Sequence, residues 1–243
     1  MLDPVRNRLY KYLKISQLDS VIRIGGKGIG REGLSNPTEL AIPNRQATYV
    51  LDRDNRRILL LNTNLKILRE IDFLNLSVRL ASGSDVFITP ESFAVNSTGE
   101  LFVLNLDDNT IYKFDVQGRF EMQFGGVDYG AGSIYEPAFI AAVGNNRLGV
   151  LEPEANRILL FDRFGIFQYT LPLPKSDTPW KGFQAFGDVI IVYSEKLIWS
   201  WNLLSKTSRF ILQDELQPIF SAALRKEGLY VLFPGEVWRY PAE

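Results

Sequence analysis

Residues 137–171 read PAFIAAVGNNRLGVLEPEANRILLFDRFGIFQYTL. Four short segments of strand composition lie in this stretch, separated by turn residues. Pro137-Ala-Phe-Ile140-Ala141-Ala142 opens it, the nearly all-apolar LGVLE (148–152) follows, Ile158-Leu159-Leu160-Phe161 is third, and Phe164-Gly165 turns the chain into a fourth. The same order recurs on either side. Pro37-Thr-Glu-Leu40-Ala41-Ile42 and Pro90-Glu-Ser-Phe93-Ala94-Val95 copy the opening, with 90 − 37 = 53 and 137 − 90 = 47 residues between prolines. Pro218-Ile-Phe-Ser221-Ala222-Ala223 copies it again, whereas the version around Phe183 has Pro179 one residue early. The apolar second segment returns as TYVLD (48–52), LFVLN (101–105), IIVYS (190–194) and LYVLF (229–233). The third segment starts at Leu9, Ile58, Ile111, Ile158, Ile198 and Val237. Periods of roughly 40–50 residues with four short strands each are the mark of propeller blades.

The fold class is therefore all-β: a six-bladed propeller of four-stranded antiparallel blades (strands a to d), forming one domain over residues 1–243. The first blade begins within strand b at Met1-Leu2-Asp3, and the last stops after strand c at Pro241-Ala242-Glu243, so both are incomplete. The rival is a five-bladed ring in which N-terminal strands complete the last blade. With six blades, the gene is expected to continue upstream of Met1, through the missing strands to an export signal. No long segment keeps the three-and-four spacing of an amphipathic helix.

Pro-x-x-(Leu/Phe/Ile)-Ala, then Tyr-Val-Leu-Asp, then Asn-Arg-(Leu/Ile)-x-x-(Phe/Tyr) resembles the NHL repeat, best at 37–73, 90–125 and 137–171. The resemblance implies a propeller used as a binding platform, sensor, RNA reader or, occasionally, enzyme.

Composition narrows the chemistry. The chain has no Cys and no His, which removes thiol nucleophiles, thiolate metal sites, the usual neutral-pH base and the commonest zinc ligand. Lys+Arg number 27 against Asp+Glu 28, so nothing draws the chain to a nucleic acid backbone. No apolar run approaches the roughly 20 residues of a membrane span. The expected function is a non-enzymatic binding or scaffold propeller, a monomer with no cofactor and no metal, engaging a protein, peptide or glycan. The alternative is a metal-dependent sugar-lactone hydrolase of the six-bladed type, for which Glu39, Glu91 and Glu136 flank the strand-a prolines but at unmatched positions.

Strand b ends on an acid, with Arg five residues later: Asp3 with Arg8, Asp52 with Arg57, Glu152 with Arg157. The third repeat has Asn105 and Thr110, so both charges vanish together. This covariation predicts structural, partly exposed ion pairs across the b–c hairpin, each worth on the order of 1 kcal/mol.

Long segments collect at one end of an up-and-down blade, where b–c hairpins and d–a linkers (25–36, 74–89, 125–136, 172–181) meet, and function is expected there. Asp128, Tyr129 and Tyr135 in one linker, Trp180 in another, and Glu39 beside Pro37 are the candidate binding residues. Trp199, Trp201 and Trp238 belong to strand c, whose fourth position (Tyr12, Leu61, Phe114, Phe161, Trp201, Tyr240) is read as core packing. Gly28–Gly33 fits G-x-G-x-x-G, yet Pro37 follows where a dinucleotide site needs a helix, so it reads as a linker.

Overall fold

The computed structural model describes residues 1–14, 17–44, 46–213 and 217–241. Its strands form six antiparallel meanders, each strand paired with the next in sequence. The first sheet has three strands, β1 (Leu2–Asp3), β2 (Arg8–Lys14) and β3 (Gln17–Gly25). The second has four: β4 (Pro37–Asn44), β5 (Ala47–Asp52), β6 (Arg57–Leu61) and β7 (Ile67–Asp72). A small hairpin, β8 (Ser77–Arg79) and β9 (Asp85–Phe87), occupies the segment read above as plain linker. The third sheet is β10 (Pro90–Val95), β11 (Leu101–Asn105), β12 (Thr110–Phe114) and β13 (Phe120–Gly125). The fourth is β14 (Phe139–Val143), β15 (Arg147–Glu152), β16 (Arg157–Asp162) and β17 (Phe167–Pro172). The fifth is β18 (Gly182–Phe186), β19 (Val189–Tyr193), β20 (Leu197–Asn202) and β21 (Thr207–Gln213). The last again has three strands, β22 (Ser221–Arg225), β23 (Gly228–Phe233) and β24 (Glu236–Pro241).

The chain divides into two compact units, Met1–Met122 and Gln123–Glu243. In the first, Leu51, Ile58, Phe73, Val103, Tyr112 and Phe114 form the centre of the core. In the second, Leu151, Ile158, Trp180, Phe183, Ile190 and Val192 do so. The second strands β11 and β15 are buried almost throughout, which is why they read as unbroken apolar runs. The hairpin between second and third strands is fixed by a residue in the left-handed region: Asn7 (φ 53°), Arg56 (48°), Asn109 (56°) and Asn156 (48°). Asparagine tolerates that conformation better than most side chains. The carbonyls of Asn7, Arg56 and Asn156 then accept the first linker N–H after strand d, from Gly26 (2.8 Å), Phe73 (2.9 Å) and Leu173 (2.8 Å).

Strands β1–β3 pair with one another, as do β22–β24, so the five-sheet alternative is set aside. At the fourth position of strand c, Leu61, Phe114 and Phe161 are buried as expected, while the Tyr12 side chain lies outside the described residues. The reading of Trp238 as core needs correction, because its side chain is 49% exposed. Among the described residues no fourth strand pairs with β24, most of whose residues are exposed.

Gly165 turns from β16 into β17 at φ 80°, and a Cβ there would overlap the Phe124 ring. Gly165→Ala combines left-handed strain with overpacking and is expected to cost roughly 2–4 kcal/mol in a urea titration, against about 1–2 kcal/mol at Gly187, where φ is also left-handed (57°) but the space is open.

Candidate functional site

At the long-loop end of the second, third and fourth sheets, the residue that ends strand b anchors the incoming linker. The Ser35 N–H donates to Asp52 Oδ1 (2.6 Å), Thr89 N–H to Asn105 Oδ1 (2.7 Å), and Tyr135 N–H to Glu152 Oε1 (2.6 Å). A buried backbone donor needs an acceptor, and these side chains supply it. Arg57 Nε completes the first clamp on Asp52 Oδ2 at 2.8 Å, and its guanidinium reaches the carbonyls of Gly30 (3.1 Å) and Gly33 (2.6 Å). Glu70 also pairs with Arg57 at 3.2 Å. In the fourth sheet, Arg157 Nε meets Glu152 Oε2 at 2.5 Å.

Three features differ from the sequence reading. The Asp52–Arg57 pair is deeply buried, with side-chain exposures of 0% and 5%, and not partly exposed. Asp3 and Arg8 stand opposite in register, yet the Asp3 carboxylate takes its bonds from Arg6, through the backbone N–H (3.0 Å) and Nη1 (3.1 Å). Arg6 stands three residues after the acid, the place from which Asn55 donates to Asp52 in the second sheet. In the third sheet the charge has moved along the hairpin. Asn55 Nδ2 donates to Asp52 in the second sheet (2.8 Å), whereas Asn105 Nδ2 donates to Asp108 in the third (3.0 Å). The acid and the amide have exchanged places at the first and fourth hairpin positions, a swap visible in DRDN (52–55) against NLDD (105–108).

The candidate binding residues separate into three groups. Trp180 is 3% exposed and donates its indole N–H to Asn156 Oδ1 at 3.2 Å, so the expected exposed ring is a core element. Tyr129 packs on Phe161 and donates its hydroxyl to the Gly165 carbonyl at 3.1 Å, which ties the linker to its own sheet. Asp128 and Tyr135 are exposed, and Tyr129, although packed on one side, is 40% exposed as well.

Glu39, on β4, accepts from Ser92 Oγ (3.0 Å) and from the Phe93 N–H (3.1 Å) of β10, joining the first strands of two sheets. Arg53 pairs with Glu91 alongside. Desolvation raises the Glu39 pKa to about 8, more than its two hydrogen bonds lower it. The G-x-G-x-x-G stretch is a linker into β4 with no helix after it. Among the described residues no group of three or more Asp or Glu converges as a metal site, and no helix is long and apolar enough to cross a membrane.

The six meanders define a six-bladed β-propeller with three-stranded first and last blades. The chain is similar in structure to a catalytically inactive histidine-to-alanine variant of virginiamycin B lyase from Staphylococcus aureus, solved with Quinupristin. The TM-score is 0.62 at 14% identity, covering 95% of this chain and 71% of that one. A streptogramin B lyase gives 0.54 at 12% identity over 85% and 83% of the two chains. Hydrazine synthase of Kuenenia stuttgartiensis gives 0.54 at 13% identity over 86% and 59%. No protein-family model and no curated protein sequence matches the chain.

Removing Arg57 leaves the buried Asp52 carboxylate with its two neutral donors but no counter-charge, so Arg57→Ala is expected to cost about 3–5 kcal/mol in chemical denaturation. Arg157 is 30% exposed, and Arg157→Ala should cost less. Equal losses would contradict the difference in burial. Glu39 makes a second expectation. Its folded pKa lies above the unfolded one, so its contribution is fully present below the unfolded value near 4.5 and is lost as pH rises through about 8. Glu39→Gln should therefore gain stability relative to wild type at pH 9 compared with pH 4; parallel stability–pH curves for the two proteins would refute the assignment.

Proposed function

We propose that the protein is a non-catalytic binding propeller of the NHL-like kind, whose b–c turns and d–a linkers engage a polypeptide partner. The observation that carries this reading is the exposure of large aliphatic side chains on that end of the first unit, with Val5 at 89% and Ile29 at 88%. Leu74 and Leu106, on a linker and a turn at the same end, are also exposed. Aliphatic side chains raised on clamped loops suit the apolar side chains of a protein or peptide better than the rings of a glycan.

The lyase neighbours favour a second, enzymatic reading. Against it stands the chain's lack of any histidine, the residue type whose replacement accompanies inactivity in the Staphylococcus aureus variant. Glu39, the carboxyl with the raised pKa, is engaged in holding β10.

Peptides selected from a displayed library on the wild-type protein should bind Val5→Asp and Ile29→Asp about tenfold more weakly. They should be indifferent to Phe164→Asp, an exposed change at the c–d turns. The reverse pattern would move the binding face to the other end. Quinupristin and sugar lactones, with or without divalent metal, should show no turnover. Metal-stimulated turnover lost in Glu39→Gln would replace the binding reading with the enzymatic one.

A further inference from the structure

Two linkers, Gly25–Pro37 and Gly125–Pro137, have equal length and share the hydrogen bonds that open and close them, although Gly130 begins a 3-10 turn at φ 65° that Gly30 does not. Paired glycines open each at positive φ, Gly25 (102°) and Gly26 (134°) in one, Gly125 (84°) and Gly126 (84°) in the other. The N–H of Leu34 bonds the Gly26 carbonyl at 2.9 Å, and that of Ile134 bonds the Gly126 carbonyl at 2.9 Å. A tight turn closes between, Gly33 N–H to Gly30 at 3.0 Å and Ser133 N–H to Gly130 at 3.1 Å. Leu34 and Ile134 are both buried, and the following residues, Ser35 and Tyr135, are the ones clamped by Asp52 and Glu152. Ile29 thus corresponds to Tyr129, Arg31 to Ala131, and Glu32 to Gly132.

The side chains do opposite things on these two linkers. In the second linker the space beneath the turn is filled: the Tyr129 ring lies against Phe161, its centroid 6.4 Å away. Gly132 has no room for a side chain, since a Cβ would stand 2.9 Å from both Phe161 and Phe167. In the first linker Ile29 projects into solvent, and beside the turn, bordered by Arg31 and Glu32, lies a groove of about 530 Å3 also lined by Arg23, Ile24, Leu65 and Lys66 among others. Three cations face one carboxylate there, in a chain of net charge -1. Arg23, Arg31 and Lys66 make no ion pair with any described residue. Uncompensated like charges around one concavity create a positive potential that an anion relieves. The turn bearing Arg31 is already held by Arg57 through the Gly30 and Gly33 carbonyls, so little ordering remains for a ligand to impose.

We propose that this groove binds a small organic oxyanion, a phosphate, sulfate or carboxylate carried on a sugar-sized body. Arg23 and Arg31 offer forked donors to the oxyanion and Lys66 a mobile charge, while Ile24 and Leu65 supply an apolar floor. The volume falls within the range of small-molecule sites, about 300–1,000 Å3. This site shares its linker with the polypeptide-binding end proposed above but does not rest on that reading, since its test uses small anions and no peptide.

Calorimetric titration of the full chain with glucose 6-phosphate, glucose 1-sulfate and citrate, against glucose and sodium chloride of matched ionic strength, tests it. At least one of the anions is expected to bind saturably, with no heat from glucose; which one does so identifies the oxyanion. Two variants locate the binding. Arg31→Glu reverses one exposed charge, and the triple change Ile29→Tyr, Arg31→Ala, Glu32→Gly transplants the filled turn of the second linker. Each should weaken binding about tenfold or more. The proposal fails if no anion binds beyond the chloride control, or if binding survives Arg31→Glu, which keeps the test decisive should the triple variant not fold.

Discussion

A linker that returns from the outer strand of one sheet to the inner strand of the next must carry backbone N–H groups past an apolar interior, and each needs an acceptor. The side chain ending strand b provides it three times over, through Asp52, Asn105 and Glu152 at 2.6–2.7 Å. Everything at the long-loop end depends on that bond. It holds the linker just ahead of Pro37, Pro90 and Pro137, which stand at the start of β4 and β10 and two residues before β14. It also explains why an amide can replace an acid: the linker N–H needs an oxygen, not a charge. The arginine follows from burial, since an ionised Asp52 with no solvent access requires a cation, and Arg57 meets it while binding two linker carbonyls besides. Asn105 carries no charge and needs no such partner.

The same economy of polar groups bears on chemistry. A carboxyl with its pKa raised to about 8 would suit proton transfer, and Glu39 has one. Its hydrogen bonds, however, run to a neighbouring strand's hydroxyl and backbone N–H, which is the geometry of a strand-to-strand tie. Perturbed titration at this position has a structural cause in desolvation between first strands.

Repetition turns the molecule into its own control. Matching linker hydrogen bonds at 25–37 and 125–137 set off the effect of a few side chains: the Tyr129 ring packs under one turn, where Gly132 leaves no room for a Cβ, and Arg31 and Glu32 border a groove at the other. Divergence of function within a repeat protein needs no change in scaffold, only in which side chains the shared loops carry.

The repeated order of proline-led, apolar, aliphatic–aromatic and turn-bounded segments determined the all-β blades, because strand periodicity and turn chemistry are local properties, while the choice of six over five came from the separate pairing of β1–β3 and β22–β24. The acid–arginine spacing was legible for the same reason: residues facing each other across a short hairpin are fixed by register, and Asp52 and Glu152 meet their partners in that register. Three further things awaited the tertiary structure. Trp180 sits near a linker in sequence but packs with Phe183 and Leu171, and burial depends on which other segments arrive. Asp3 found Arg6, a choice among neighbours that spacing leaves open. The groove around Arg23, Arg31 and Lys66 draws on a strand, a linker and a turn separated by up to forty-three residues (66 − 23 = 43), and no local pattern marks it, because concavity and unpaired charge exist only once the sheets have packed.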